Sequence, residues 1–266
     1  MYPLPLVDDI LGGLSNCSVF STLDLKVGYH QVPIAIQDRE KTAFITPDGL
    51  FQFKRMPFEL CNAVPTFRRL MDQDLAGLKW KTCFVFMYDI LVPGRDLSLH
   101  NERLDAVLKE LIKAGLTLNV KKCVFATDEV AHLGHVINEF GLSPNPSKVA
   151  AIIQMSRPRT STQLKSFLGS AGYYRQFVPN FASISRPLEN LNKKGADVLH
   201  DRNDEHEEAF VTLKKALSEA PVLDRDNGVL ELELQIDASG HGLGAVLQIQ
   251  KEQKRTRTKN GDQSHI

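Results

Sequence analysis

Two aspartates in this 266-residue sequence stand where short apolar runs end or turn. Asp24 follows Phe20-Ser21-Thr22-Leu23, and Asp89 lies within Phe84-Val85-Phe86-Met87-Tyr88-Asp89-Ile90-Leu91-Val92. The second run reads as a hairpin: two β-prone stretches flank a polar pair and hold an acid at the tip. Carboxylates on neighbouring strand ends are what a divalent-metal site for phosphoryl transfer requires, because hard cations take oxygen ligands. Alone, Asp24 would read as a strand-end surface acid. His132 and His135, three apart without a third ligand beside them, make a poor metal site.

The elements that must position these groups follow from pattern and punctuation. Residues 2–14 read as a loop leading into a short helix. Residues 20–36 read as a strand, a break at Gly28 and a second extended piece, and 42–53 as a hairpin around Pro47-Asp48-Gly49. Pro65 opens a helix through Phe67, Leu70 and Met71. Leu104, Val107, Leu108 and Leu111 give a helical face over 101–114, ended by Gly115. Strands near 116–118, 124–125 and 135–137 complete an α+β unit with helices on one sheet face. Helices follow at 148–155, then from a capping box at Thr160 to Gln163 until Pro179, then over 207–219. Residues 230–236 and 244–249 alternate as two strands. Residues 251–266 are polar, basic and aperiodic, and are expected to be disordered.

The length points to two compact units and a fragment of a third. No stretch approaches 18 consecutive apolar residues, so no membrane span is expected, and the start lacks the pattern of a secretory signal. Cys17, Cys61, Cys83 and Cys123 show no paired spacing, which favours reduced thiols in an intracellular protein, cytoplasmic or nuclear. The formal net charge of zero hides an asymmetry. Residues 141–195 carry eight Lys/Arg against one acid, a balance of +7, whereas 196–237 carry four bases against twelve acids. The basic block reads as a surface for a phosphate backbone, and an ordinary solvated helical face accounts for the same charges.

A series of ordered motifs across residues 2–250 resembles the reverse transcriptase of gypsy-type long-terminal-repeat retrotransposons. They include Tyr2-Pro-Leu-Pro-Leu-Val-Asp-Asp9, Phe20-Ser-Thr-Leu-Asp-Leu with Gly28-Tyr-His-Gln31, and Met56-Pro-Phe-Glu-Leu-Cys-Asn-Ala63. Phe86-Met-Tyr-Asp89, the Ala114–Cys123 segment, His132-Leu-Gly-His135 and Phe167-Leu-Gly169 with Tyr173-Tyr-Arg175 continue the series. The resemblance implies a right-hand polymerase: partial fingers and palm over 1–140, with a ferredoxin-like sheet, and a helical thumb and connection over 141–225. It further implies a truncated ribonuclease H-like start over 226–250, with Asp237 as its one remaining acid, and a basic tail over 251–266. No ribonuclease H activity is expected.

For chemistry, the resemblance implies RNA-directed DNA synthesis from dNTPs on a primed RNA or DNA template, using two Mg2+ ions. Asp24 and Asp89 become metal ligands and catalytic residues. Tyr29, Phe58 and Asn62 line the nucleotide site, and Lys122, or less favourably Lys121, donates a proton to pyrophosphate. Leu133 and Gly134 grip the primer end, and other Pol segments are potential partners. Two positions depart from the pattern. Tyr88 replaces the first aspartate of the Tyr-x-Asp-Asp hairpin, and a phenol is neutral near pH 7. Glu59 replaces a glycine whose bare backbone approaches the nucleotide. Both departures predict lost or severely impaired catalysis. A non-catalytic primer–template-binding remnant, or a relic open reading frame, are the alternatives.

Overall fold

The computed structural model describes residues 7–14, 16–193, 198, 203–223, 232–239 and 242–249. The chain divides into two compact units, 1–225 and 226–266. The first unit begins with α1 (Val7–Gly12), β1 (Val19–Asp24), β2 (Phe44–Thr46), β3 (Gly49–Phe51) and α2 (Ala63–Asp74). It continues with β4 (Phe84–Phe86), β5 (Asp89–Gly94), α3 (Leu97–Lys113), β6 (Val124–Thr127), β7 (Glu129–His132), β8 (His135–Asn138) and β9 (Gly141–Pro144). Helices α4 (Pro146–Gln154), α5 (Ser161–Tyr173), α6 (Phe181–Leu191) and α7 (Asp204–Ser218) complete it.

Its centre is an antiparallel sheet in the order β4-β5-β1-β6. Alternation along the strands sends Leu23, Val85, Ile90 and Val92 to one face, where α2 brings Phe67 and Met71 and α3 brings Val107 and Leu111. Phe20, Phe84 and Leu91 point to the other face, into a core shared with Ile10 and Leu14. That core runs on through Val130 and Ile137 to Leu164, Phe167, Phe177, Leu188, Phe210 and Leu213. The expected α+β palm with α2 and α3 on one face is therefore present. Its opposite face is covered as well, and the helical segment after residue 145 grows out of the same core.

Local chemistry explains the helix ends. The Asp96 carboxylate accepts from the Leu99 N–H at 2.8 Å, so α3 starts four residues before the expected 101. Gly115, at φ +68°, closes the same helix: its N–H donates to the Ile112 carbonyl, and the Leu116 N–H donates to Leu111 at 2.9 Å. Thr160 caps α5 as expected by accepting from the Gln163 N–H. The Gln163 side chain, however, accepts from the Arg159 N–H at 2.8 Å, one residue before the partner that a full capping box uses.

Several expectations are corrected. Residues 116–118 form no strand but a single bridge, Leu25 to Leu118. The second extended piece of 20–36 is a 3-10 turn at Gly28–Gln31, entered through Val27 in a left-handed conformation. Helix α5 ends at Tyr173, well before Pro179, and α6 was not foreseen. Strands β7, β8 and β9 make a separate three-stranded antiparallel sheet where one strand was expected. The Leu142 and Leu223 backbones exchange hydrogen bonds at 2.9 and 2.8 Å, tying the chain after α7 back to β9.

The second unit contains an antiparallel hairpin, β10 (Leu232–Ser239) and β11 (Gly242–Ile249). It matches the two expected strands and sets Asp237 opposite Gly244. The Asp237 side chain, residues 1–6 and residues 251–266 lie outside what the structure describes. Among the described residues no helix is long and apolar enough to cross a membrane.

Candidate active site

Strand pairing brings the two sequence-identified carboxylates together. In the antiparallel register of β1 and β5, Asp24 stands directly opposite Asp89, and facing residues on paired strands project to the same side. The Leu25 N–H donates to the Tyr88 carbonyl at 3.2 Å, which carries the ladder one step past the aspartates. Phe86 pairs with Asp89 across a two-residue loop, whose first residue, Met87, is left-handed at φ +56°. The tip of the hairpin is therefore Met87-Tyr88. Asp89 is the first residue of the returning strand and not the tip itself.

A cleft of about 250 Å³ opens beside this pair, lined by Asp24, Leu25, Val27, Gly28, Tyr29, Phe58, Tyr88, Asn119 and Lys122. Tyr29 is the centre of its aromatic wall, meeting Phe58, Phe67 and Tyr88 edge-on at centroid distances of 5.6, 5.5 and 6.4 Å. Gly28 makes that wall possible, since a Cβ there would sit 3.1 Å from the Phe67 ring and 3.2 Å from the Tyr88 Cβ. Burial, with Tyr88 adding to it, raises the Tyr29 hydroxyl above the ordinary tyrosine value.

The electrostatics are those of a short charge cluster. Burial raises the Asp89 pKa, the neighbouring Asp24 raises it further, and Lys122 opposes both. The Lys122 ammonium lies 3.9 Å from an Asp24 carboxylate oxygen. Its loop is held by the side chain of Gln31, which donates to the Lys26 and Thr117 carbonyls at 2.7 and 2.9 Å and accepts from the Thr117 N–H at 2.7 Å. The Asn119 N–H then donates to the Asp24 carbonyl at 2.8 Å.

Asp24 and Asp89 are the residues present that would hold a divalent ion. Two carboxylates, one of them raised in pKa, with a phenol lining the same cleft as Asp24 and an ammonium 3.9 Å from it, are a poor donor set for two such ions. Among the described residues no group of three or more His, Cys, Asp or Glu side chains is arranged to hold a metal. The residues present do not fit a paired-ion centre.

The other sequence-identified residues separate into neighbouring features. Glu59 is exposed and left-handed at φ +69°, the conformation that favours the glycine it replaces. It lines an open groove of about 420 Å³ with His30, Lys41 and Phe58, and Phe58 is shared with the Asp24 cleft. Asn62 stands at the N-terminus of α2 without a side-chain capping bond and lines a different cavity with Met56 and Thr66, so it is not brought to the aspartates. Leu133 and Gly134 form the turn between β7 and β8. The buried His132 imidazole is pushed down to about 4 by burial, with His135 adding to it. Val27, Asn119 and Gln31 complete the site, and the sequence pattern assigns none of them a role. The Gly-Tyr-His-Gln run held the one available signal, a polar amide immediately after the aromatic residue.

The sequence profile of a family described as reverse transcriptase (RNA-dependent DNA polymerase) matches residues 2–137. A second profile, an RNase H-like domain found in reverse transcriptase, matches residues 203–259. The retrovirus-related Pol polyprotein of transposon 297 from Drosophila melanogaster is 39% identical over 92% of this chain, which spans 23% of that relative. The Pol polyprotein of the gypsy transposon from the same organism is also 39% identical, over 72% of this chain and 19% of its own length. The Tf2-3 polyprotein of Schizosaccharomyces pombe is 32% identical over 93% of this chain and 18% of its own length. The chain thus spans less than a quarter of these curated relatives. Among solved structures, a foamy viral protease-reverse transcriptase in complex with double-stranded DNA superimposes with a TM-score of 0.79 at 27% identity. That superposition covers 89% of this chain and 42% of the viral one. The same viral protein in complex with RNA/DNA hybrid gives 0.78 at 25% identity, over 94% and 36%.

Proposed function

The chain belongs to the reverse transcriptase family, and from that premise we propose that it is a polymerase segment of a retrotransposon Pol polyprotein whose chemical step is lost or severely impaired. The observation that carries this reading is the register of Asp24 against Asp89, with Tyr88 and Asp24 lining one cleft. Polymerisation places its charge on a transferring phosphoryl group and relies on two cations to neutralise it. A phenol offers those cations no charge near pH 7. Glu59 adds a carboxylate in the groove next to the cleft, where it repels a triphosphate. Tyr29, Phe58 and Lys122 keep positions suited to a nucleotide, stacking and hydrogen-bonding at the wall of the cleft.

Primer extension tests the reading. Robust nucleotide addition by the purified wild-type chain refutes the impairment. Restoration by Tyr88→Asp combined with Glu59→Gly identifies its cause.

A second reading rests on a different observation. Lys148, Arg159, Lys165, Arg175, Arg186 and Lys193 are all exposed on the helical segment, whereas Arg157 is paired with Glu207 at 2.8 Å. The chain then retains affinity for a primer–template duplex without copying it. Each phosphate contact releases counterions, so log K falls with log salt by about 0.9 per contact. Duplex binding no stronger than that of a neutral control protein removes this reading.

A further inference from the structure

The turn Leu133-Gly134 is held from outside its own hairpin. Both residues are left-handed, at φ +47° and +74°, as a two-residue hairpin loop of the I′ type demands. Leucine is a poor choice for such a backbone, so the conformation needs support from its surroundings. That support comes from the C-terminal end of α5 and the residue after it, forty residues away in sequence. The Tyr173 hydroxyl donates to the Leu133 carbonyl at 2.7 Å, and the Tyr174 hydroxyl donates to the Gly134 carbonyl at 2.7 Å. Each carbonyl takes a second donor. Leu133 accepts from the His135 Nδ1 at 2.8 Å, since a carbonyl can only accept, and Gly134 accepts from the Asn145 N–H at 3.0 Å. Both lone pairs of both carbonyls are thereby used.

The rings complete the clamp. The His135 imidazole packs on Tyr173, Tyr174 and Phe177 at centroid distances of 5.4, 5.5 and 5.6 Å. A Cβ on Gly134 would stand 3.1 Å from the Tyr174 hydroxyl and 3.2 Å from the Tyr173 ring, so the tyrosines close on a bare backbone. In a trans peptide the carbonyl and the following N–H point in opposite directions. Fixing the Leu133 carbonyl toward Tyr173 therefore aims the Gly134 N–H away from α5, where it can donate to a phosphate oxygen.

We propose that Tyr173 and Tyr174 are positioning residues for the primer strand: their hydroxyls set the Leu133-Gly134 turn so that its outward amide meets the backbone near a recessed 3′ end. The proposal deepens the nucleic-acid reading above and rests on it. It makes the hairpin tip a part of the helical segment, and gives the paired tyrosines a task that core packing alone does not require. A phenylalanine would fill the same space, but it would leave the two carbonyls short of a donor.

Tyr173→Phe, Tyr174→Phe and the double variant test it by two measurements. The first is amide hydrogen exchange at residues 133–135, which should accelerate about tenfold in the double variant, the worth of roughly one neutral hydrogen bond. Exchange in α2 and α3 should stay unchanged. The second is the ratio of affinities for a duplex with a recessed 3′ end and for a blunt duplex of equal length. The double variant should lose that preference about fivefold, whereas a loss of general affinity would lower both terms alike. Unchanged exchange overturns the clamp. Faster exchange with an intact end preference overturns its role toward the primer. A wild-type chain with no end preference sinks the primer reading of the turn itself, and the exchange data then report on the clamp separately.

Discussion

Replacing Tyr88 with aspartate should make the stability of this chain depend on magnesium, which the wild-type chain's should not. The structure sets the size of the effect. Residue 88 is 37% exposed and lines the same cleft as Asp24, with Asp89 adjacent in the chain. Two like charges at about 5.5 Å, the usual spacing of facing strand residues, repel by about 3 kcal/mol at an effective dielectric of about 20, and solvent at a partly open site reduces this to about 1.5 kcal/mol. Loss of the edge-on contact with Tyr29 costs about 0.5–1.5 kcal/mol more. Without divalent ions the variant is thus about 2–3 kcal/mol less stable and melts about 4–12 °C lower, at about 2–4 °C per kcal/mol for a unit of this size. Magnesium at ten times its Kd returns about 1.4 kcal/mol by linkage, or about 3–5 °C. The assay is a thermal melt of both proteins across a magnesium series, with potassium chloride holding ionic strength constant. Two outcomes refute the reasoning: a wild-type Tm that climbs with magnesium as steeply as the variant's, or a variant Tm that stays flat.

Two further predictions concern the departures from the family pattern and the buried acid. Glu59→Gly should relieve about 1–2 kcal/mol of left-handed backbone strain and give back about 0.5–1 kcal/mol to the freer unfolded chain. The net gain of about 0.5–1 kcal/mol should appear as a higher urea midpoint, and a lower midpoint would contradict the strain argument. Asp89 has a pKa raised in the folded state, so the folded chain holds this proton to higher pH than the unfolded chain does. Stability from this group is full below the unfolded value of about 3.9 and is lost as pH rises through the folded value. Asp89→Asn should therefore be more stable than wild type at pH 7, with the gap closing toward pH 4. A gap that is constant across that range would show that ionisation of Asp89 is not its source.

The parts of the fold legible in the sequence are those whose local chemistry and tertiary fate agree. The hairpin at 44–51 forms where Pro47-Asp48-Gly49 asks for it, and α3 stops at the glycine its pattern calls for. The pairing of Asp24 with Asp89 needed only two strand ends and an antiparallel register. The rest is decided at a distance. Residues 116–118 have strand-like composition, yet the Gln31 side chain occupies both backbone groups of Thr117. Helix α6 carries Pro187 in its interior, a signal that reads as a stop. The burial of Ser185, Leu188 and Leu191 overrides that signal. At the candidate site, the departures at Tyr88 and Glu59 were visible as letters, but not the left-handed backbone under Glu59 or the lysine facing Asp24. The tyrosine hydroxyls on the 133–134 turn join residues forty apart, which no periodicity reports.

The apolar interior that passes from Phe20, Phe84 and Leu91 into Phe167 and Phe210 has a thermodynamic consequence. One cluster of buried apolar side chains joins the sheet to the helices, and Leu223 is stitched to Leu142 beyond the last of them. Neither half can melt while the other keeps its shape, so a calorimeter should record one endotherm for this whole unit, with matching van't Hoff and calorimetric enthalpies.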